Sequence, residues 1–442
     1  MADLSVNFAG IKSPNPFWLA SAPPTNSGYQ VMKAFEEGWG GAVWKTLGVP
    51  VINVSSRYGS TNYRNTRMAG FNNIELITDR PLVDNLKEIE EVKKYFPNHA
   101  VIASLMVETK EEWRQIIQDV ENAGSDGIEL NFGCPHGMCE RGMGSAVGQE
   151  PDVLRTIVKW VMEYAKIPVI VKLTPNITDI RMPALAAVEA GADSISLINT
   201  IKSIVGLDLD SLAPYPVVDG RGTNGGYCGP AVKPIALNML KDCAQHPDIN
   251  IPISGIGGIE TWRDAAEHIL LGASTVQICT AVMHYGFGII RELIPGLERY
   301  MDEKGYATID EMCGKALPNV GEWKTLNLKH KVIANINEDK CIGCQLCYTA
   351  CEDGAHQAIA LPTAGGRVPT IIDENCVGCN LCSLVCPVEE CITMDKVDDG
   401  TQHVTWEEKT AAGTVPTTFN DERAGGRGHY VPAPTDALKK RS

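Results

Sequence analysis

The sequence predicts an α/β chain built as a (β/α)8 TIM barrel followed by a small α+β domain rich in cysteine. Three observations predict it. Eight short apolar runs alternate with longer amphipathic stretches over roughly the first 300 residues, the pattern of parallel strands joined by crossover helices. Polar residues recur at the C-terminal ends of those runs, where barrels carry their chemistry. Nine of the fifteen cysteines crowd between Cys341 and Cys391, against six in the first 313 residues.

In chain order the strands read Phe17–Ala20, Ala42–Lys45, Val101–Leu105, Gly127–Asn131, Val169–Leu173, Ser194–Ile198, Ile251–Ser254 and Val276–Cys279. Between them Leu82–Tyr95, Lys110–Ala123, Val153–Ala165, Ile180–Ala190, Ala231–Ala244 and Thr261–Leu271 carry helical periodicity. Eight such units exceed the usual strand count of an open doubly wound sheet. Leu4–Phe8 and Gly10–Lys12 predict a hairpin closing the barrel floor. The expected boundaries are a barrel over 1–302, a linker over 303–335, the cysteine-rich domain over 336–399 and a weakly ordered polar tail over 400–442.

Composition narrows the function. A chain of 442 residues, 44% hydrophobic and 21% charged, buries a substantial core in more than one domain. A net charge of −15 argues against nucleic-acid backbones and anionic membrane surfaces as partners. The first residues lack a basic segment leading into an apolar one, and no stretch is long and apolar enough to span a bilayer, so a cytoplasmic location is the expectation. In such a chain cysteines point to metal binding or catalysis rather than disulfides.

The cysteine spacing is specific. Cys341-x2-Cys344-x2-Cys347-x3-Cys351 and Cys376-x2-Cys379-x2-Cys382-x3-Cys386-Pro387 form the two-cluster ferredoxin signature, in which the fourth cysteine of each run serves the other [4Fe–4S] cluster. One cluster is therefore assigned to Cys341, Cys344, Cys347 and Cys386, the other to Cys376, Cys379, Cys382 and Cys351. Zinc ribbons, the competing reading, group their ligands as two separated pairs. Glu352 follows Cys351 where proline follows Cys386, and Cys391 lies outside the pattern and reads as a packing residue.

The strand ends give Ala20-Ser21, Lys45-Thr46, Ser104, Asn131, Lys172, Asn199-Thr200, Ser254-Gly255 and Thr280-Ala281. Singly, each reads as a hydrogen-bonded core group. Two lysines and two asparagines converging on one face predict a pocket for an anionic or strongly accepting ligand, because an uncompensated buried ammonium is costly. Gly255-Ile-Gly-Gly-Ile259 after the seventh strand and Thr280-Ala281 after the eighth match the place where barrels build a phosphate site. Beside iron–sulfur clusters, a phosphate-bearing redox cofactor is implied, with FMN the simplest candidate. The glycine-rich loop Asn131–Gly148 leaves the fourth strand as a mobile lid would. Its Cys134 reads either as a general acid or base or as a small buried hydrophobe; Cys139 and His136 compete for the same role.

Asn131-Phe-Gly-Cys134-Pro-His-Gly-Met, Lys172-Leu-Thr-Pro-Asn176-Ile-Thr-Asp, Gly225-Gly-Tyr-Cys-Gly229-Pro-Ala-Val-Lys-Pro and Gly257-Gly-Ile together resemble the dihydropyrimidine dehydrogenases, over nearly the whole chain to about Lys396. The dihydroorotate dehydrogenases are looser relatives that share the barrel and its flavin. The resemblance implies that Cys134 exchanges a proton at pyrimidine C5 while flavin exchanges a hydride at C6. It implies that Asn73, Asn131, Asn199 and Thr200 hydrogen-bond uracil or thymine. Lys45 and Lys172 become flavin contacts, with Gly229, Gly257, Gly258, Thr280 and Ala281 around its ribityl-phosphate. Where the family often has serine before the cysteine, this chain has Gly133, and that serine's hydrogen bond is absent. No carboxylate-binding cluster is visible, which favours uracil and thymine over orotate.

No strand–GxGxxG–helix unit for a nicotinamide or FAD site occurs; Gly38-Trp-Gly-Gly41 leads into a strand. The expected partner is a separate FAD- and NAD(P)H-binding flavoprotein subunit in a hetero-oligomer. Eleven Asp or Glu against three Lys or Arg over 337–399 either guide its docking or are simply solvated. Two alternatives stay open: a dihydroorotate-type flavin oxidoreductase, and an electron-transfer subunit without catalysis of its own.

Overall fold

The computed structural model describes residues 2–63, 65–362, 365–397 and 405–413. It separates into two compact units, Met1–Val320 and Gly321–Ser442.

In the first unit eight parallel strands close into a barrel in sequence order: Phe17–Leu19, Gly41–Leu47, Ala100–Leu105, Gly127–Asn131, Val169–Lys172, Ser194–Leu197, Ile253–Ile256 and Ala273–Ile278. These are the eight expected strands. The seventh starts after Pro252, not at Ile251, since proline has no N–H to give the ladder. Burial on both faces explains why they read as continuous apolar runs. Val6–Phe8 and Ile11–Ser13 pair antiparallel as the floor hairpin, where Trp18 Nε1 donates to Ser13 Oγ at 3.0 Å.

The crossover helices have identifiable starts. Thr109 and Glu112 form a reciprocal capping box before Lys110–Asn122, and Thr261 with Asp264 does the same before Trp262–Leu270, each cap contributing about 1 kcal/mol. A separate four-stranded antiparallel sheet, in the order Ile201–Ser203, Gly225–Cys228, Thr66–Asn73 and Tyr58–Tyr63, was not expected. It is built from excursions after the second and sixth barrel strands.

The barrel unit also runs past the expected boundary at 302. The helix Ile290–Lys304 ends on left-handed Gly305, and the chain packs back: Asp3 N donates to Ala307 O at 2.8 Å, Ala316 N donates to Leu270 O at 2.9 Å, and Ile309 and Met312 are buried. Residues 303–320, assigned to a linker by sequence, therefore belong to the barrel unit.

In the second unit Val332–Ile336 pairs antiparallel with Ile392–Lys396, and Ile359–Ala360 with Thr370–Ile371. Two short helices, Leu346–Gly354 and Leu381–Val385, each follow a left-handed residue, Gln345 and Asn380. Left-handed Gly343 and Gly378 stand two residues earlier in each half, and a Cβ at Gly378 would lie 2.4 Å from Val332 O. The two halves thus repeat one turn. Of the tail expected from 400, only 405–413 is described, including a helix at Trp406–Ala411; the rest lies outside the described residues. No described helix is long and apolar enough to cross a membrane.

Candidate active site

The C-terminal ends of the barrel strands open into one cavity. Ala20, Ser21, Lys45, Thr46, Asn73, Asn131, Cys134, Lys172, Asn199, Thr200, Gly229, Gly257, Gly258, Thr280 and Ala281 all line it. Most of the barrel and loop residues singled out by sequence are thus brought to one place, while the strand-end residues Ser104, Ser254 and Gly255 do not line it. His136 lines it as well; Cys139 does not.

The two lysines are not uncompensated, which corrects the expectation drawn from them. Lys45 Nζ lies 2.5 Å from Glu75 Oε1, and Lys172 Nζ lies 3.5 Å from Glu129 Oε1, both carboxylates being buried. Glu129 sits inside the barrel, accepting from Ser196 Oγ at 2.9 Å and Gln277 Nε2 at 3.1 Å. Glu75 also accepts from Tyr58 Oη at 2.5 Å and faces Arg57 at 3.4 Å. Burial first, then the Glu75 carboxylate, push the Tyr58 phenol upward and keep it a donor. Sequence reading missed Glu75, Tyr58 and Glu129. The signal for Glu75 was its spacing of two from Asn73, which keeps both on one side of an extended chain.

Hydrogen bonds fix the amide side of the cavity. Asn131 Nδ2 donates to Thr46 Oγ1 at 2.9 Å, and Thr46 Oγ1 is 3.2 Å from Ser21 Oγ and 3.0 Å from Ser104 Oγ. Asn199 Nδ2 donates to Asn131 Oδ1 at 3.0 Å, and Asn199 Oδ1 accepts from Thr200 N at 2.7 Å. Asn176 Nδ2 holds the Thr200 carbonyl at 3.0 Å, and Asn73 Nδ2 donates to Gly226 O at 3.1 Å. Such pre-set amides present donors and acceptors to a ligand's imide edge with little reorganisation.

The glycines of the loop after the fourth strand serve close packing. A Cβ at Gly144 would lie 2.7 Å from Cys134 O, and one at Gly148 would lie 2.1 Å from Phe132 O. The loop folds back so that Ser145 N donates to Cys134 O at 3.0 Å and the Cys139 thiol reaches the same carbonyl at 3.1 Å. Cys139 Sγ also lies 2.6 Å from Ser145 Oγ, which engages it away from the cavity. The Cys134 thiol faces His136 O at 3.4 Å, and burial pushes it up to about 12, so it is protonated at neutral pH. Burial lowers His136 and keeps the imidazole neutral, with Nε2 2.9 Å from Glu75 O.

Gly133 has its own steric reason. A Cβ there would lie 2.3 Å from Asn199 Cβ and 2.4 Å from Asn199 Nδ2. Gly133→Ala and Gly133→Ser are both expected to displace Asn199 and weaken binding of a ligand held by its amide about 10-fold, the worth of roughly one hydrogen bond. Equilibrium ligand titration checks this; a serine variant that binds more tightly than the alanine variant would show that the hydroxyl outweighs the clash.

At the other end, the turn after the seventh strand carries Gly257 at φ 127° and Gly258 at φ 72°. A Cβ at Gly257 would meet Ala236 at 2.8 Å and one at Gly258 would meet Lys233 at 2.6 Å, so only glycine keeps this backbone against the cavity. The buried Gln277 Oε1 has no partner although Gln277 lines the cavity. A bare glycine cradle, two charge-neutralised lysines and an unmet acceptor fit a phosphate-bearing ring cofactor with donor groups.

The cysteines of the second unit line two cavities. One, of ≈ 360 Å³, is lined by Cys351, Cys376, Cys379 and Cys382; the other, of ≈ 330 Å³, by Cys341, Cys344, Cys347 and Cys386, with Cys391 beside them. Each set takes three thiols from one run and its fourth from the other. Backbone N–H groups point at the sulfurs: Gly343 at Cys341 (3.4 Å), Ala334 at Cys376 (3.5 Å) and Ala358 at Cys351 (3.2 Å). Among the described residues no His, Cys, Asp or Glu set converges as ligands of a single metal ion do; these thiols surround volumes instead, as a multi-iron cluster requires.

A strand-end redox cavity joined in one chain to a double cysteine cavity defines a barrel oxidoreductase with an iron–sulfur module. Residues 3–301 match the dihydroorotate dehydrogenase family, which is flavin-dependent, and residues 334–394 match the 4Fe–4S dicluster domain. The chain is 43% identical over 397 residues to the NAD-dependent dihydropyrimidine dehydrogenase subunit PreA of Escherichia coli K12, covering 89% of this chain and 96% of that one. It is 46% identical over 329 residues to the chloroplastic dihydropyrimidine dehydrogenase (NADP(+)) of Arabidopsis thaliana, covering 71% and 77%. It is 39% identical over 322 residues to the catalytic subunit of dihydroorotate dehydrogenase B (NAD(+)) of Pyrococcus abyssi, covering 71% and 99%. The chain belongs to the dihydroorotate dehydrogenase family and, within it, to the dihydropyrimidine dehydrogenases.

Proposed function

We propose that this chain interconverts uracil or thymine and their 5,6-dihydro forms, using FMN in the barrel cavity and two [4Fe–4S] clusters in the second unit. The observation that carries the reading is that a buried, protonated thiol, Cys134, lines the same cavity as the amides of Asn73, Asn131 and Asn199. Bound FMN would supply hydride exchange at C6 of the ring. The glycines 257 and 258 and the backbone at Gly229, Thr280 and Ala281 would hold its phosphate end, with Lys45 and Lys172 near its ring. Ala20, Ser21 and Thr46 line the same region.

The remaining work falls to protein groups. The asparagine amides and Thr200 orient the imide edge, and their fixed dipoles meet the charge that develops on the O4 side as C6 gains hydride. Cys134 delivers the proton to C5 in reduction and removes it in oxidation. The cavity favours a neutral pyrimidine over orotate, because both lysines lining it are already paired with carboxylates and His136 is neutral. Electrons from NADH or NADPH would come through the clusters from a nucleotide-binding flavoprotein subunit. The name of the E. coli relative, a subunit, supports that arrangement.

Anaerobic mixing of the purified chain with 5,6-dihydrouracil tests the reading. Loss of flavin absorbance is the expected result. No change in either chromophore would overturn it, and bleaching by dihydroorotate alone would make the chain a dihydroorotate-type enzyme.

A further inference from the structure

We infer that Cys391 is a reserve ligand for the cluster assigned to Cys341, Cys344, Cys347 and Cys386, a fifth thiol built into that cavity and placed to take over from Cys386. The inference rests on the cluster assignment of the proposed function. Five cysteines line this cavity, whereas four line the other. Cys391 is 2% exposed and lines the cavity together with Cys386 and Cys341. Its thiol donates to Asn337 O over a long 3.8 Å. A cysteine serving only as a small hydrophobe has no need of ligand sulfurs around it.

Its backbone holds it there. Asn337 N donates to Cys391 O at 2.8 Å, and Asn337 O accepts from Cys341 N at 3.0 Å, so one residue ties Cys391 to the first ligand of the quartet. Ile392 then enters the strand opposite Ile336. Cys386 caps the helix Leu381–Val385, and the five-residue return to Cys391 is closed by Cys391 N donating to Val388 O at 3.3 Å, with Glu390 in the left-handed region. Turn and strand together bring the fifth thiol into the cavity that Cys386 lines. The exchange is a ligand substitution. With the Cys386 sulfur removed, the Cys391 thiol gives its proton to solvent and forms the iron–sulfur bond, and no electrons change hands.

Iron and acid-labile sulfide content of the full-length chain, with EPR of the dithionite-reduced protein, test this. Cys386→Ala and Cys391→Ala, each alone, are expected to retain both clusters. Combining the two substitutions is expected to remove about half of the iron and sulfide. If Cys386→Ala alone loses as much as the double variant, or if Cys391→Ala alone loses a cluster, the reserve role is overturned. Cys347→Ala separates this from the underlying assignment: it should lose the cluster whatever Cys391 does, and no loss there would overturn the assignment itself. The signal of the cluster on Cys351, Cys376, Cys379 and Cys382, followed in every variant, reports that the domain has folded.

Discussion

Replacing Cys134 by alanine is expected to lower uracil turnover by about 10²–10⁴-fold, the usual contribution of a positioned proton donor, while leaving uracil affinity nearly unchanged. The separation follows from the cavity: the amides that hold the ring are fixed by Asn131, Thr46 and Asn199, none of which bonds through the Cys134 side chain. The pH profile provides a second check. Burial holds the thiol near 12, so in the direction of pyrimidine reduction the required protonated form persists through neutral and mildly alkaline pH, and Cys134 adds no falling limb below about pH 10. In dihydropyrimidine oxidation the required form is the thiolate, whose fraction grows tenfold for each pH unit below the pKa, so the rate should climb with pH across the neutral range. Stopped-flow rates in both directions test it. A bell centred near pH 7 in both would mean that His136 or another group carries the proton.

Much of the barrel was legible because its strands are buried on both faces, so Gly41–Leu47 and Ala100–Leu105 show as apolar blocks. The four-stranded sheet was not legible. Tyr58–Tyr63 is mostly exposed and polar, and Gly225–Cys228 carries two glycines, so neither offers the alternation that marks a half-buried strand. Missing that sheet hid Tyr58, and treating Asn73 as an isolated match hid Glu75. Glu129 escaped for another reason: a single charge inside Gly127–Asn131 reads as an interruption of an apolar run, and its partners Lys172, Ser196 and Gln277 come from three other strands. The lysine argument failed at that point, since charge compensation between distant segments leaves no local trace. Cysteine spacing, by contrast, is a local constraint, and it anticipated which thiols share a cavity.

That sharing makes the second large effect directional. Cys351 lies on the helix Leu346–Gly354 of the first cysteine run, yet its thiol lines the cavity of Cys376, Cys379 and Cys382. Cys351→Ser is expected to remove the cluster of the second run and leave the first run's intact, cutting iron and sulfide by about half. Pairwise combinations decide between crossed and local ligation. Adding Cys382→Ser to Cys351→Ser should cost nothing further, since both thiols serve one cavity, whereas adding Cys347→Ser should remove the remaining iron. Local ligation predicts the reverse, with the 347/351 pair losing one cluster and the 351/382 pair losing both. Among the described residues no fifth cysteine lines the Cys351 cavity, and turnover driven by NAD(P)H through a partner should fall with the missing relay.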